Sequence, residues 1–391
     1  MKHCYFADFF DIESDFAEYI LFSFTFLRNL EKKAKDWSSK IGWRVGCNFI
    51  PSTAVNQLEM WQAETFDPQT IQKELQLANS IGFNTVRVFL YYLAWGEDKI
   101  GIKSRMHTFL NITNQFNIKT IFVLFDDCWK NDPHICQQPA PIPDVHNSQW
   151  VQCPGSSQPV YGSYQEYAQD ILTEFAEDNR ALFWDLYNEP GNFHHNESIL
   201  SLLQDVFKYT IEVNIAQPIT AGMWNFFKKL NSFQLQNSDI ITFHLYSLPQ
   251  VLEIQIKTLK KHGRPIIYTE YMARTIGSTF KNSLTIFKKH NVVFPWKLPE
   301  GAPIPKVWFH DIFWNNSTCY SEEECSFIKS ITSYLQLTPI EFSEDSTAEI
   351  LNSGVEQQQF SMTHFASYLV FIIYIGTNII DIFANIVEVN I

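Results

Sequence analysis

The chain has 391 residues, with 34 Phe, 16 Tyr and 11 Trp, enough to fill a large core and to contain one barrel of roughly 250 residues. Its formal net charge is −13 and it has no Lys/Arg-rich run, so a phosphate backbone would be repelled and nucleic acid is not an expected partner. Neither glycine-rich phosphate-binding loop pattern occurs, which argues against an open nucleotide-binding sheet.

In chain order, residues 1–36 read as an appendage. Tyr19–Leu27 is apolar but too short to cross a bilayer, and 31–40 is charged, as in a connector or helix end. A basic start leading into an apolar run, as in a signal peptide, is not seen. From Ile41 strand-like and helix-like segments alternate. Arg44–Phe49 is a short strand. Asp67-Pro68 opens a helix, with Ile71, Leu75 and Ala78 on one face and Gly82 as its stop. Thr85–Leu90 is β-branched and strand-like. A helix near Ser104–Asn117 leads into the strand Lys119–Phe125, which ends at Asp126-Asp127. A long loop, 129–163, is rich in Pro, Gln and Ser, and loops of that length are usually functional or disordered. A helix from Tyr164 to about Asp178 precedes the apolar strand that ends in Asn188-Glu189-Pro190, where proline stops the ladder. Further strands are expected at Pro218–Gly222, Ile240–Phe243, Pro265–Glu270 and Val292–Phe294, separated by helices near 198–214, 251–262 and 279–290. Eight such units predict a (β/α)₈ TIM barrel over 37–335, with non-barrel extensions at 1–36 and 336–391. The apolar run 365–380 falls short of a full span and is a candidate for weak membrane association.

The seven cysteines form no CxxC pair or zinc spacing. Free thiols are the simplest reading, with Cys136–Cys153 or Cys319–Cys325 as plausible disulfides. Cys128, His134, Cys136, His146 and Cys153 are a weaker candidate metal cluster. Glycosylation sequons stand at Asn111, Asn196, Asn315 and Asn316 and matter only on a secretory route.

In a barrel, polar residues at the strand ends converge on one face. Two of them are glutamates, Glu189 and Glu270, and two carboxylates about 5–5.5 Å apart are what retaining glycoside hydrolysis requires. Glu270 is the expected nucleophile and Glu189 the acid/base, unless each merely pairs with an arginine. Arg87 is placed to hold Glu270 ionised, Asn188 to bind a sugar hydroxyl, and Tyr246 to donate to Glu270. His244, two residues from Tyr246 and on the same strand face, would bind a hydroxyl or steer Glu189. Asp126 and Asp127 are candidates to grip hydroxyls, one of them capping the next turn instead. Trp61, Trp95, Trp129, Trp150, Trp224 and Trp296 are possible sugar platforms, though each taken alone reads more readily as core. Trp129 and Trp224, at strand ends, are the best placed. The chemistry needs no metal or cofactor, and the expected partner is a β-linked oligo- or polysaccharide.

These residues carry a resemblance. Thr85-Val-Arg87-Val-Phe, Trp184-Asp-Leu-Tyr-Asn188-Glu189-Pro190, His244-Leu-Tyr246 and Ile267-Tyr-Thr-Glu270-Tyr, in this order, resemble the cellulase-like glycoside hydrolases of family 5 and their relatives in clan A. The resemblance covers about Trp37–Thr332 and implies a barrel with retaining chemistry. It also implies that Arg87, Asn188, Glu189, His244, Tyr246 and Glu270 occupy the clan's active-site positions. One departure is expected: the eighth strand is compressed to a stub before Pro295-Trp296-Lys297, so Trp296 need not be the family's sugar-lining tryptophan. The rival reading follows from that stub: a carbohydrate-binding barrel without turnover.

Overall fold

Seven of the apolar runs form parallel strands in a computed structural model that describes residues 31–142, 145, 148–154, 162–192, 197–225, 227–290, 312–314 and 317–333. They are β1 (Gly46–Asn48), β2 (Thr85–Phe89), β3 (Lys119–Asp126), β4 (Ala181–Asn188), β5 (Ile219–Thr220), β6 (Ile241–Leu245) and β7 (Ile266–Tyr271). β1 to β5 pair in sequence order, and β6 pairs with β7. A parallel bridge between Met223 and Phe243 joins the two sets. The sheet curls until Asn48 of β1 donates to the Thr269 carbonyl of β7 at 3.4 Å. This is the (β/α)₈ barrel expected from the sequence. The expected eighth strand, with Trp296, lies outside the described residues, as do 1–30 and 334–391. Among the described residues no helix is long and apolar enough to cross a membrane.

Strands covered on both faces must be apolar throughout, and every residue of β4 is buried, as are Thr120–Asp126 of β3. Each fully buried Val, Leu or Phe there contributes ~1.5–3 kcal/mol. Gly46 allows β1 to approach β2, because a Cβ on it would lie 1.6 Å from the Thr85 carbonyl oxygen.

The helix Pro68–Ser80 starts and stops as its sequence predicts. Asp67 accepts from the Gln69 and Thr70 amides, Ile71, Leu75 and Ala78 are buried, and Gly82 takes a left-handed φ of +86°. The helix Lys99–Gln115 begins earlier than the expected Ser104 because Asp98 caps it through the Gly101 amide. Ile100, 82% exposed, is out of phase with the buried face and hid that first turn. Residues 31–41 are helical, the second of the two readings, connector or helix end, that the charged stretch 31–40 allowed. Their Ala34 joins Ile121, Leu182, Phe183, Ile240 and Ile267 in a small apolar cluster, with Trp37 and Ile41 packed against it. Those partners lie at the starts of their strands, so this helix covers the end of the barrel opposite the glutamates.

Of the two candidate disulfides, Cys319–Cys325 is formed, whereas Cys136 and Cys153 are free.

Candidate active site

Arg87 is the hub. It stands on β2, fully buried, with its guanidinium crossing the barrel. Nε and Nη2 donate to Asp185 Oδ2 at 3.0 and 2.7 Å. Nη2 also donates to Asn188 Oδ1 at 2.7 Å, and Nη1 to Asn48 Oδ1 at 3.2 Å and Glu270 Oε1 at 3.1 Å. One cation thus ties β1, β2, β4 and β7 together through a planar fork that a lysine could not reproduce.

Glu270, near the end of β7, keeps 14% of its side chain exposed. Tyr246 donates its hydroxyl to Oε2 at 2.7 Å. Burial alone would raise the Glu270 carboxyl, but His244, Arg87 and the Tyr246 hydroxyl outweigh it and hold it below the usual range.

Glu189 sits in a different setting. It follows β4 with a left-handed φ of +44°, a conformation uncommon for a residue with a side chain. Asp127 holds this turn from below: its Oδ2 accepts from the Gly191 amide at 2.7 Å, and its own amide donates to the Asn188 carbonyl at 3.2 Å. Glu189 Oε1 lies 2.8 Å from His244 Nδ1. Oε2 accepts from Asn192 Nδ2 at 2.5 Å and from the Cys128 thiol at 3.3 Å. Burial, then the neighbouring carboxylates, push the Cys128 thiol well above its ordinary range, so it stays protonated and donates.

His244 lies between the glutamates, with Nδ1 also 3.7 Å from Glu270 Oε2. Burial lowers its pKa, but the charges of Glu270 and Glu189 more than reverse that. A donor atom from each of Glu189, His244 and Glu270 lies within 4.8 Å of the others, the one such group among the described residues that could surround a metal ion. Arg87 beside Glu270, and His244 when both of its ring nitrogens carry protons, give these carboxylates positive neighbours. The sequence-level alternative, a metal cluster of Cys128, His134, Cys136, His146 and Cys153, is not assembled among the described residues: Cys128 faces Glu189, while Cys153 is buried and accepts from the Tyr92 amide. His146 lies outside them.

Asp126 and Asp127 are both buried, and each is engaged by neighbouring groups of the barrel. Asp126 lies behind Asn188, accepting from its Nδ2 at 2.8 Å, from Trp150 Nε1 at 2.5 Å, from Gln57 Nε2 at 3.2 Å and from the Cys128 amide at 3.2 Å. Burial, assisted by the charge of Glu189, moves its pKa up to about 7 against those hydrogen bonds.

Three of the six tryptophans considered as platforms are core. Trp61, Trp95 and Trp150 are buried, and their indole N–H groups go to the Phe89 carbonyl, Asp170 and Asp126. Trp129 is 50% exposed at the end of β3. Trp224 is partly exposed and anchored by Nε1 donating to the Pro190 carbonyl at 3.0 Å.

The structure therefore brings Arg87, Asn188, Glu189, His244, Tyr246 and Glu270 together, with Trp129 and Trp224 flanking the strands that carry them. Sequence reasoning assigned no role to Asn48, Asp185 or Asn192, and placed Cys128 only in a metal cluster. Asp185 had a visible signal, a lone acid inside an apolar strand. Asn192 had none beyond its place in the turn after Glu189.

Residues 46–294 match the family profile Cellulase (glycosyl hydrolase family 5). No curated relative matches the chain in sequence. Among solved structures, a GH5_18 protein from Streptomyces cattleya in complex with GlcNAc superposes with a TM-score of 0.57 at 10% identity, covering 76% of this chain and 81% of its own. An exo-β-1,4-mannosidase from Opitutaceae bacterium strain TAV5 gives 0.54 at 16% identity, covering 75% and 60%. The endo-1,4-β-mannanase from Rhizomucor miehei gives 0.51 at 12%, covering 75% and 99%. These likenesses show a shared barrel fold. The profile match spans well over half of the 391 residues, so the chain belongs to glycosyl hydrolase family 5.

Proposed function

We propose that this protein is a retaining glycoside hydrolase acting on a β-linked oligo- or polysaccharide, with Glu270 as nucleophile and Glu189 as acid/base. The observation that carries the reading is the close pair of carboxylates in unlike surroundings. Their nearest oxygens fall within a 4.8 Å cluster, which suits the ~5–5.5 Å separation of retaining enzymes and leaves no room for the water an inverting pair holds between them. Glu270 is kept ionised by Arg87, His244 and Tyr246, as a nucleophile must be.

In the first step a Glu270 oxygen attacks the anomeric carbon, and the bond to the leaving oxygen breaks as that oxygen takes a proton from Glu189. In the second, Glu189 removes a proton from water, the hydroxide oxygen bonds to the anomeric carbon, and Glu270 leaves as carboxylate. His244 and Asn192 hold the two Glu189 oxygens through both transfers. Asn188 is fixed between Arg87 and Asp126, with its second amide hydrogen toward Cys128 Sγ at 3.9 Å; it would turn that hydrogen to the hydroxyl beside the reacting carbon, where contacts strengthen in the transition state.

The test is turnover of aryl β-glycosides and of β-1,4-glucan, mannan and xylan by the full chain, beside Glu270→Gln. Mannan is included because two of the neighbours above are a mannanase and a mannosidase. Turnover lost in the variant with folding intact supports the assignment. Equal turnover in the variant sinks it.

A further inference from the structure

The chain carries a formal charge of −13, yet its cations crowd together at the end of the barrel opposite the glutamates. We propose that this end is a docking face for an anionic lipid bilayer. Docking there needs no chemistry at the glutamates.

Three groups of cations build the face. The helix over residues 31–41 turns Ala34, Trp37 and Ile41 to the barrel and leaves Lys32, Lys33, Lys35 and Lys40 exposed. Its Glu31 lies against Gly263, where an added Cβ would meet the carboxylate at 3.2 Å. That contact brings the helix beside the turn that follows the helix Pro249–Lys260. The second group stands there. Lys257, Lys260 and Lys261 are exposed, as are Lys288 and Lys289 at the end of the helix Phe280–His290. Lys260 Nζ lies 3.4 Å from His290 Nδ1, so the two helix ends are neighbours. One carboxylate, Glu253, is shared by Lys257, Lys289 and His290, at 3.4, 2.8 and 2.9 Å. The third group is Arg44, just before β1, and Lys119, the first residue of β3. Burial, then the charge of Arg44, lowers the Lys119 ammonium against the pull of Asp178, which is already bound to Arg180. Arg44 Nε is buried without a partner.

Lysines in the last turn of a helix complement its dipole, which accounts for Lys257, Lys260, Lys288 and Lys289. The dipole does not account for Lys32, Lys33 and Lys35, more than a turn from the end of their helix, nor for Arg44 and Lys119 at strand starts. The acids within this strip are Glu31, Asp36, Asp239 and Glu253, too few to balance it.

Cations spread in this way suit a broad, flat anion. A small one would need donors converging on one point. An anionic bilayer is such a surface, and each lysine brought near it strengthens binding about fivefold. The net charge does not prevent this, because charges farther than about 10 Å from the lipid are screened at ordinary ionic strength. Repulsion of the acidic remainder would orient the molecule, with the glutamates facing away from the lipid. The apolar run 365–380 would add a second contact from the same chain, and two weak signals together hold a protein at a membrane.

The experiment is co-sedimentation of the full chain with vesicles of phosphatidylcholine alone, or containing about one-third phosphatidylserine. Binding should require phosphatidylserine and should fall steeply between about 0.05 M and about 0.5 M salt. Lys32→Gln/Lys33→Gln/Lys35→Gln, and separately Lys260→Gln/Lys261→Gln/Lys288→Gln, should each weaken it by about a hundredfold with the circular dichroism spectrum unchanged. Lys73→Gln/Lys208→Gln/Lys228→Gln makes the same change in net charge away from the face and should weaken it less than about twofold. Equal loss in all three variants would show a response to net charge alone and overturn the face. So would binding that survives high salt and both face variants, which would assign the contact to an apolar segment. Absence of binding to either vesicle, or capture of double-stranded DNA in place of vesicles, would overturn the lipid assignment.

Discussion

Arg87→Met tests the electrostatic frame of the site most severely. The substitution keeps most of the side-chain volume but removes the charge and every donor. Asp185 is fully buried, its Oδ1 has no partner, and both of its hydrogen bonds come from Arg87. Removing one member of such a pair typically costs ~3–5 kcal/mol, because an uncompensated buried charge remains. Against a usual total of ~5–15 kcal/mol that is a large fraction of the stability. Asp185 can limit the loss by staying protonated, and its carboxyl is already raised by burial against the pull of Arg87. A raised folded-state pKa gives stability that is present below the unfolded value and lost as pH rises, so the deficit should be larger at pH 8 than at pH 5. Arg87→Met/Asp185→Leu removes both charges and should recover more than half of the lost stability. It should recover no activity, since Glu270 still lacks its cation. Urea unfolding at the two pH values, together with turnover, measures all of this. A single variant as stable as the parent, or a double variant no more stable than the single, would refute the reasoning.

Four further outcomes are expected. Tyr246→Phe removes a hydrogen bond that favours ionised Glu270, so the acidic limb of the kcat/KM profile should move to higher pH, with kcat reduced roughly 10- to 100-fold. Asp126, raised to about 7, contributes stability present below about pH 4 and lost as pH rises through 7, a swing of order ~4 kcal/mol. Asp126→Asn should remove that part of the pH dependence, as read by urea midpoints from pH 4 to 8. Glu189→Ala should lose about 10²-fold or more on substrates with poor leaving groups and far less on activated aryl glycosides, with azide restoring turnover in place of the missing base. Asn192→Ala leaves Glu189 Oε2 with only the weak Cys128 thiol donor and should lower kcat more than it raises KM.

The barrel was legible because parallel strands are buried on both faces, so polar residues stand out where each run ends. Arg87, Asn188, Glu189, His244 and Glu270 were visible in that way, and their convergence follows from the topology. What was hidden depended on contacts between distant segments. Asp185 is read correctly only with Arg87, 98 residues away, already in place. Asp126 and Asp127 are chemically identical neighbours, yet a strand sends them to opposite sides: one lies under Asn188, the other caps Gly191. Whether a tryptophan is buried is set by its surroundings: position at a strand end singled out Trp129 and Trp224, but nothing local marked Trp61, Trp95 and Trp150 as core. The helices Gln57–Trp61 and Tyr92–Glu97 are too short to show a period at all.

The account stands or falls on a covalent bond to Glu270. Incubating the full chain with a 2-deoxy-2-fluoro β-glycoside bearing a good leaving group should slow the second step more than the first and trap the intermediate. Mass spectrometry of the digested protein should then find the sugar on the peptide containing Glu270, and nowhere in Glu270→Gln. Turnover of the parent substrate with inversion at the anomeric carbon, and no adduct on Glu270, would contradict the mechanism.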